Sequence, residues 1–237
     1  LRYNLDTGKV ELLSHTTTSM TDALNGAYAG GLTVSADGRY VAFALSLSTG
    51  GGGFSIYANA SGTALFITDT QTGAIRMVNS TDAQGTQLSY ASWAAIQNEP
   101  SFFTADGKFL VWQTHNAGYV STDRSSGAAG WDGWGTTTAL ALDLSNGVWN
   151  AGYSQVNQIL SHSAASTTQA AGTSVNLIGV SAVGRLAFFT AADATKFGNN
   201  GVAFADPATS ATDIFAVDLS TRAIGLVSGT NLSLIHI

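Results

Sequence analysis

The sequence contains no cysteine and only two prolines among 237 residues. Without cysteine there can be no disulfide, no zinc–thiolate centre and no cysteine nucleophile. Two prolines beside 27 glycines leave no room for a proline-rich linker or a collagen-like repeat. Charge is also scarce, at 10% of residues, where soluble domains carry roughly a quarter. Nine basic residues face fifteen acidic ones, for a net charge of −6. So few Lys and Arg cannot neutralise a run of phosphates, which sets nucleic acid aside as a partner. Familiar reaction motifs are missing too: there is no Gly-x-Ser-x-Gly elbow, no His-Glu-x-x-His, no P-loop and no Gly-x-Gly-x-x-Gly. No cofactor and no metal are expected of this segment, and no catalytic residue.

One stretch, from Tyr40 to Thr68, carries no charge at all. Its centre reads Ser48-Thr49-Gly50-Gly51-Gly52-Gly53, a poor helix that leaves only short apolar runs on either side. The expectation is two buried strands around a glycine loop, without membrane insertion.

The informative feature is repetition. The strings LTVSADGRYVAF (32–43), SFFTADGKFLVW (101–112) and IGVSAVGRLAFF (178–189) share a pattern of strand, tight turn, strand. Aligned on Gly38, Gly107 and Gly184, they recur 69 residues apart and then 77. Asp37-Gly38 and Asp106-Gly107 supply the positive φ that a tight turn needs, while in the third copy Val183 replaces Asp. A second element alternates with the first. Asn4, Asp69, Asp143 and Asp218 each end an apolar strand in a polar turn, where an Asx side chain can accept a backbone N–H two residues on. A third echo aligns LLSHT (12–16) with ILSHS (159–163), so His15 and His162 fall at equivalent strand ends.

Each period thus holds two hairpins, four strands in all, which is the content of one β-propeller blade. We label these strands A to D, with the Gly38-type turn joining A to B and the Asx turn joining C to D. The expected fold is all-β, a partial β-propeller of about three and a half four-stranded antiparallel blades. A half blade at 1–14 precedes blades at 30–79, 99–162 and 174–228. The C strands (65–67, 139–142 and 214–217) are apolar throughout, as strands packed on both faces require. A two-sheet sandwich, the competing architecture, would show cleaner alternation.

The strings SADGRYVAFALS, TADGKFLVWQTHN, ALFITDTQTGAIRMVN and DIFAVDLSTRAIGLVS resemble TolB-like propeller repeats, relatives of the WD-repeat propellers. LLSHTTTS and ILSHSAAS resemble more narrowly the repeats of large secreted bacterial proteins. Ala36, Ala105 and Ala182 stand where the family usually has Pro. The resemblance implies binding or scaffolding, an extracellular, cell-surface or periplasmic setting, and flanking blades of the same parent chain as partners. It carries over no catalytic residue. The alternatives are the propeller body of a secreted glycosidase, polysaccharide lyase or peptidase, or a TolB-like envelope component.

In an antiparallel blade the A–B and C–D turns share one rim, and the B–C and D–A connections share the other. The second set is long (15–29, 47–63, 80–99, 115–137, 163–172 and 192–211), and long loops on a rigid scaffold are where binding usually resides. Tyr119, Trp131, Asp132 and Trp134 in the longest of them suit a glycan or protein surface. A tryptophan pair pinning the loop to the rim is the competing reading. Asp193, Asn199, Asn200 and Asp206 lack the alternating spacing of a calcium loop. The last residues, LSLIHI (232–237), read like a translated sequencing adaptor and are expected to belong to no blade.

Overall fold

β-Branched and aromatic residues in runs of four to eight, punctuated by Gly-containing turns, leave this chain little choice but sheet. The computed structural model describes residues 1–47, 55–56, 62–78, 87–88, 101–114, 137–145, 157–205 and 211–228. Among the described residues it is all-β apart from a 3-10 turn at Ala194–Lys196. A short hairpin pairs β1 (Arg2–Tyr3) with β2 (Val10–Glu11). The first four-stranded sheet runs in the order β3 (Gly26–Val34), β4 (Tyr40–Leu47), β6 (Gly62–Asp69), β7 (Ile75–Met77). A short parallel pair joins β5 (Ser55–Ile56) to β8 (Gln87–Leu88). The second sheet is β9 (Ser101–Phe103), β10 (Phe109–Thr114), β11 (Thr138–Asp143), β12 (Asn157–Ile159). A connecting hairpin follows, β13 (His162–Ser163) with β14 (Ser166–Ala170). The third sheet is β15 (Val175–Val180), β16 (Leu186–Ala191), β19 (Asp213–Asp218), β20 (Ile224–Leu226), with β17 (Gly198–Asn199) and β18 (Val202–Ala203) paired inside its B–C connection. All three large sheets are antiparallel meanders in sequence order.

Period-2 alternation decides which neighbour each side chain meets. On β4, Val41, Phe43 and Leu45 turn toward Leu13 and Leu24, while Tyr40, Ala42 and Ala44 turn toward the second sheet. On β6, Ala64 and Phe66 join the first group, and Leu65 and Ile67 the second. The second sheet repeats the division. Leu110, Trp112, Leu140 and Leu142 pack on the first sheet; Val111, Ala139 and Ala141 pack on the third. Both faces of the second sheet are therefore core, which explains C strands with no polar face. Polar groups tie the stack as well. Ser101 Oγ donates to Gly31 O at 3.0 Å, and Leu177 N donates to Gln113 Oε1 at 2.5 Å. A fully buried Leu or Phe contributes about 1.5–3 kcal/mol, against about 1 kcal/mol for one hydrogen bond. Apolar faces drive the stacking, and the polar links set its register. On the far side of the third sheet, Leu186 and Phe188 are only half-buried and Ile214 is exposed.

The A–B turns are built alike. Gly38, Gly107 and Gly184 sit at φ +69°, +68° and +70°. At Gly38 and Gly107 an added Cβ would meet open space, whereas at Gly184 it would lie 3.1 Å from Asp106 Oδ1 and 3.2 Å from Ala105 N, in the turn of the preceding sheet. Gly107→Ala should therefore cost about 1 kcal/mol of left-handed strain, and Gly184→Ala clearly more. Equal midpoint shifts for the two variants in urea would show that the turns do not touch.

Candidate functional site

The rim that gathers the tight turns is a set of repeated carboxylate motifs. In the first sheet Ser35 Oγ donates to Asp37 Oδ1 at 2.6 Å, and Arg39 N donates to the same oxygen at 3.0 Å. Tyr40 N in turn donates to Ser35 Oγ at 2.8 Å. The second sheet reproduces this, with Thr104 Oγ1 to Asp106 Oδ1 at 2.7 Å, Lys108 N to Asp106 Oδ1 at 3.1 Å and Phe109 N to Thr104 Oγ1 at 3.0 Å. The third has no Asp, yet Leu186 N still donates to Ser181 Oγ at 3.0 Å. The hydroxyl three residues before the Gly is thus the constant member. Reasoning from Asp-Gly alone missed it, although Ser35, Thr104 and Ser181 stand in register in the sequence.

The C–D turns close on their Asx side chains. Asn4 Oδ1 accepts from Asp6 N and Thr7 N, both at 3.0 Å, and Asp69 Oδ1 accepts from Gln71 N at 2.9 Å. Asp143 Oδ1 accepts from Ser145 N at 2.8 Å; Asp218 Oδ1 accepts from Ser220 N at 2.9 Å and Thr221 N at 3.0 Å. The residue after each A–B glycine completes two of these sites. Arg39 Nη2 lies 2.9 Å from Asp69 Oδ2, and Arg185 Nε lies 2.6 Å from Asp218 Oδ2. Lys108, in the same position, instead meets Asp106 of its own turn at 3.4 Å.

These surroundings set the carboxylates' protonation. Burial pushes Asp69 up, but the Arg39 hydrogen bond and the turn amides outweigh it and hold the acid below its ordinary value. Burial likewise raises Asp218, and the Ser220 hydroxyl, the Thr221 amide and Arg185 more than reverse that. Asp106 is lowered against its burial by Thr104 and Lys108, and Asp37 chiefly by the Ser35 hydroxyl. A carboxylate held ionised, with its lone pairs filled by turn donors, is a poor proton donor at neutral pH. Asp37, Asp69, Asp106 and Asp218 serve the turns.

His15 and His162 serve connections. His162 is buried, with Nδ1 at 2.9 Å from Ser163 O and Nε2 at 2.8 Å from Arg222 O in the third sheet. His15 Nδ1 lies 2.7 Å from Thr16 O.

Two of the long connections do not stand free. In the B–C connection of the third sheet, Phe197 enters the aromatic stack, with its centroid 4.7 Å from Phe215 and 5.3 Å from Phe189. Asn199 lies along β20, with Nδ2 donating to Ile224 O at 2.7 Å and Oδ1 accepting Ile224 N at 2.9 Å. The amide thereby stands in for an extra strand on that edge. The preceding D–A connection joins it, as Gly201 N donates to Ala164 O at 2.7 Å. Asp193 caps the 3-10 turn through Thr195 N at 3.0 Å. Among the described residues no group of acidic and His side chains could hold a metal ion. Asp206, and the proposed ligand contacts Tyr119, Trp131, Asp132 and Trp134, lie outside the described residues, as do 232–237.

No family model matches the chain, and no curated protein matches it. Solved structures do. TolB from Acinetobacter baumannii aligns over 97% of this chain and 37% of its own, at 16% identity and a TM-score of 0.40. The tricorn protease aligns over 95% of this chain and 20% of its own, at 12% identity and a TM-score of 0.41. A prolyl endopeptidase structure aligns over 84% and 21%, at 14% identity and a TM-score of 0.40. The chain spans between a fifth and about two fifths of the length of these proteins.

Proposed function

We propose that this chain is an arc of a TolB-like β-propeller, acting as a non-catalytic binding or scaffold module of a secreted or envelope protein of bacteria. One observation carries the reading. Three four-stranded meanders stack face to face, and the polar groups of their turn rim are committed to holding the turns. Such a body offers stiffness and presents connections; recognition falls to the opposite rim, where the 115–137 connection carries Tyr119, Trp131, Asp132 and Trp134. Aromatic stacking with one hydrogen-bonding carboxylate suits a glycan or a protein surface. Single contacts of this kind are weak, and repeated modules raise them to useful strength.

A glycan array and a pull-down comparing the wild type with Trp131→Ala/Trp134→Ala test this. The double variant should lose binding by about thirtyfold or more, the effect of removing a tryptophan hot spot. Binding that survives it but disappears in Asp37→Ala would move the site to the turn rim. Hydrolase or lyase turnover by the purified chain would overturn the non-catalytic assignment.

A further inference from the structure

The hairpin β1–β2 closes through the same Asx turn as the C–D hairpins of the three large sheets. In those sheets the C strand has a B strand on its other side. There the amide following the Asx residue donates to the carbonyl after the A–B glycine. Thr70 N meets Arg39 O at 2.8 Å, Leu144 N meets Lys108 O at 2.7 Å and Leu219 N meets Arg185 O at 2.9 Å. Among the described residues β1 pairs with β2 alone, and Leu5, the equivalent residue, is 88% exposed.

The A strand of the first sheet, β3, shows a matching gap. Four residues before the turn glycine stand Val34, Phe103 and Val180. Phe103 is 9% exposed and stacks on Tyr40, the B-strand residue of the preceding sheet, at 6.5 Å. Val180 packs against the core between the second and third sheets. Val34 is 53% exposed, and Leu32 on the same face is 62% exposed. The same register position is covered wherever a preceding A–B hairpin exists and bare where none does.

We propose that the free edge of β1, with Leu32 and Val34, is a docking site for a β-hairpin of the A–B type of these repeats, which adds a strand antiparallel to β1 and sets an apolar residue over Val34. This deepens the propeller reading and rests on it. Main-chain pairing supplies the affinity and the side-chain pocket the register. A second copy of this chain cannot supply the hairpin, because each of its three A–B hairpins already pairs with its own C strand. The partner's chemistry follows from Asn4. Where the Asx residue is Asp69 or Asp218, the residue after the glycine is Arg39 or Arg185 and forms an ion pair. Asn4 has no charge to offer, so the docking hairpin does not carry Arg after its glycine; a neutral residue fits, as does a Lys paired within its own turn in the way Lys108 pairs with Asp106.

The test fuses residues 99–114, followed by a ten-residue Gly/Ser loop, ahead of Leu1 of the full chain, in the order A, B, loop, C. Amide exchange is followed by NMR. In the fusion the Tyr3 and Leu5 amides should exchange at least tenfold more slowly than in the unfused chain, while a scrambled hairpin gives no protection. Replacing the hairpin's own Lys with Arg, the residue that pairs with Asp69 and Asp218, should lower the protection, and combining the Arg hairpin with Asn4→Asp should restore it. Unchanged exchange at Leu5 in the fusion, equal protection by the scrambled hairpin, or dimerisation of the unfused chain that protects β1 would each overturn the proposal. Amides of β4, β10 and β16 are read in the same spectra. Their failure to protect would strike the stacked-sheet reading itself, separately from the docking site.

Discussion

Trp112→Ala should destabilise the protein by about 3–5 kcal/mol, the range for emptying a buried aromatic site. Against a total stability of about 5–15 kcal/mol, that is enough to unfold a marginal domain at 37 °C. Trp112 is fully buried on β10, opposite Leu140 of β11 and facing the first sheet among Leu65, Ile67 and Leu142. Neighbours on two sheets surround the hole, and their backbones are fixed by strand pairing, so the site cannot collapse. Val111, its neighbour in sequence, points the other way, into the interface with the third sheet. Val111→Ala removes two methyl groups and should cost about 2 kcal/mol. Urea unfolding with an unchanged m-value checks both. A loss below 1 kcal/mol for Trp112→Ala would mean that the first two sheets are not sealed against each other.

The two neighbours also show what was readable in advance. An apolar run such as Ala139 to Leu142 has no period, and by itself fits a buried strand or a helix core equally well. What fixes it as a strand is the Asx turn at its end and the glycine turn of the hairpin before it, both local chemistry that a sequence displays. Which face meets which sheet is a matter of alternation between 139/141 and 140/142, and the structure supplies the partners. The 192–205 segment was less legible. It reads as a long polar rim loop, yet it inserts Phe197 into the core and lays the Asn199 amide along β20. One side chain standing in for a strand leaves no periodic trace. The Arg39–Asp69 and Arg185–Asp218 pairs were missed for another reason. Their partners lie 30 and 33 residues apart, and only superposing the repeats exposes the recurrence of a cation after the glycine. For the candidate binding residues, Trp131 and Trp134, the sequence offers composition without register, because the corresponding B–C connections at 47–63 and 192–211 contain no tryptophan.

Asp218→Asn should cost about 2–3 kcal/mol at pH 7, and the cost should shrink in acid. Asp218 is 4% exposed and accepts from two backbone amides, the Ser220 hydroxyl at 2.6 Å and Arg185 at 2.6 Å. Charge-assisted bonds to a buried carboxylate are worth roughly twice neutral ones, and Asn returns an amide whose N–H2 faces donors. Its folded-state pKa lies below its unfolded value near 4, so the folded protein holds fewer protons through the intervening range. The stabilisation is therefore complete above about pH 5 and fades as pH falls through 4 and below. Asp69, fully buried and lowered in the same sense, adds to the same acid limb. Among the donors the turn outweighs the ion pair. Arg185 is more than half exposed, so water screens its charge, and Arg185→Gln should cost only about 0.5 kcal/mol. Ser220→Ala, which removes a donor from a buried oxygen, should cost about 1 kcal/mol. Urea midpoints for the three variants between pH 3 and 7 give the order directly. If Arg185→Gln proves the costliest of the three, or if Asp218→Asn keeps its full deficit at pH 3, then the turn amides do not hold this carboxylate in the way the geometry requires.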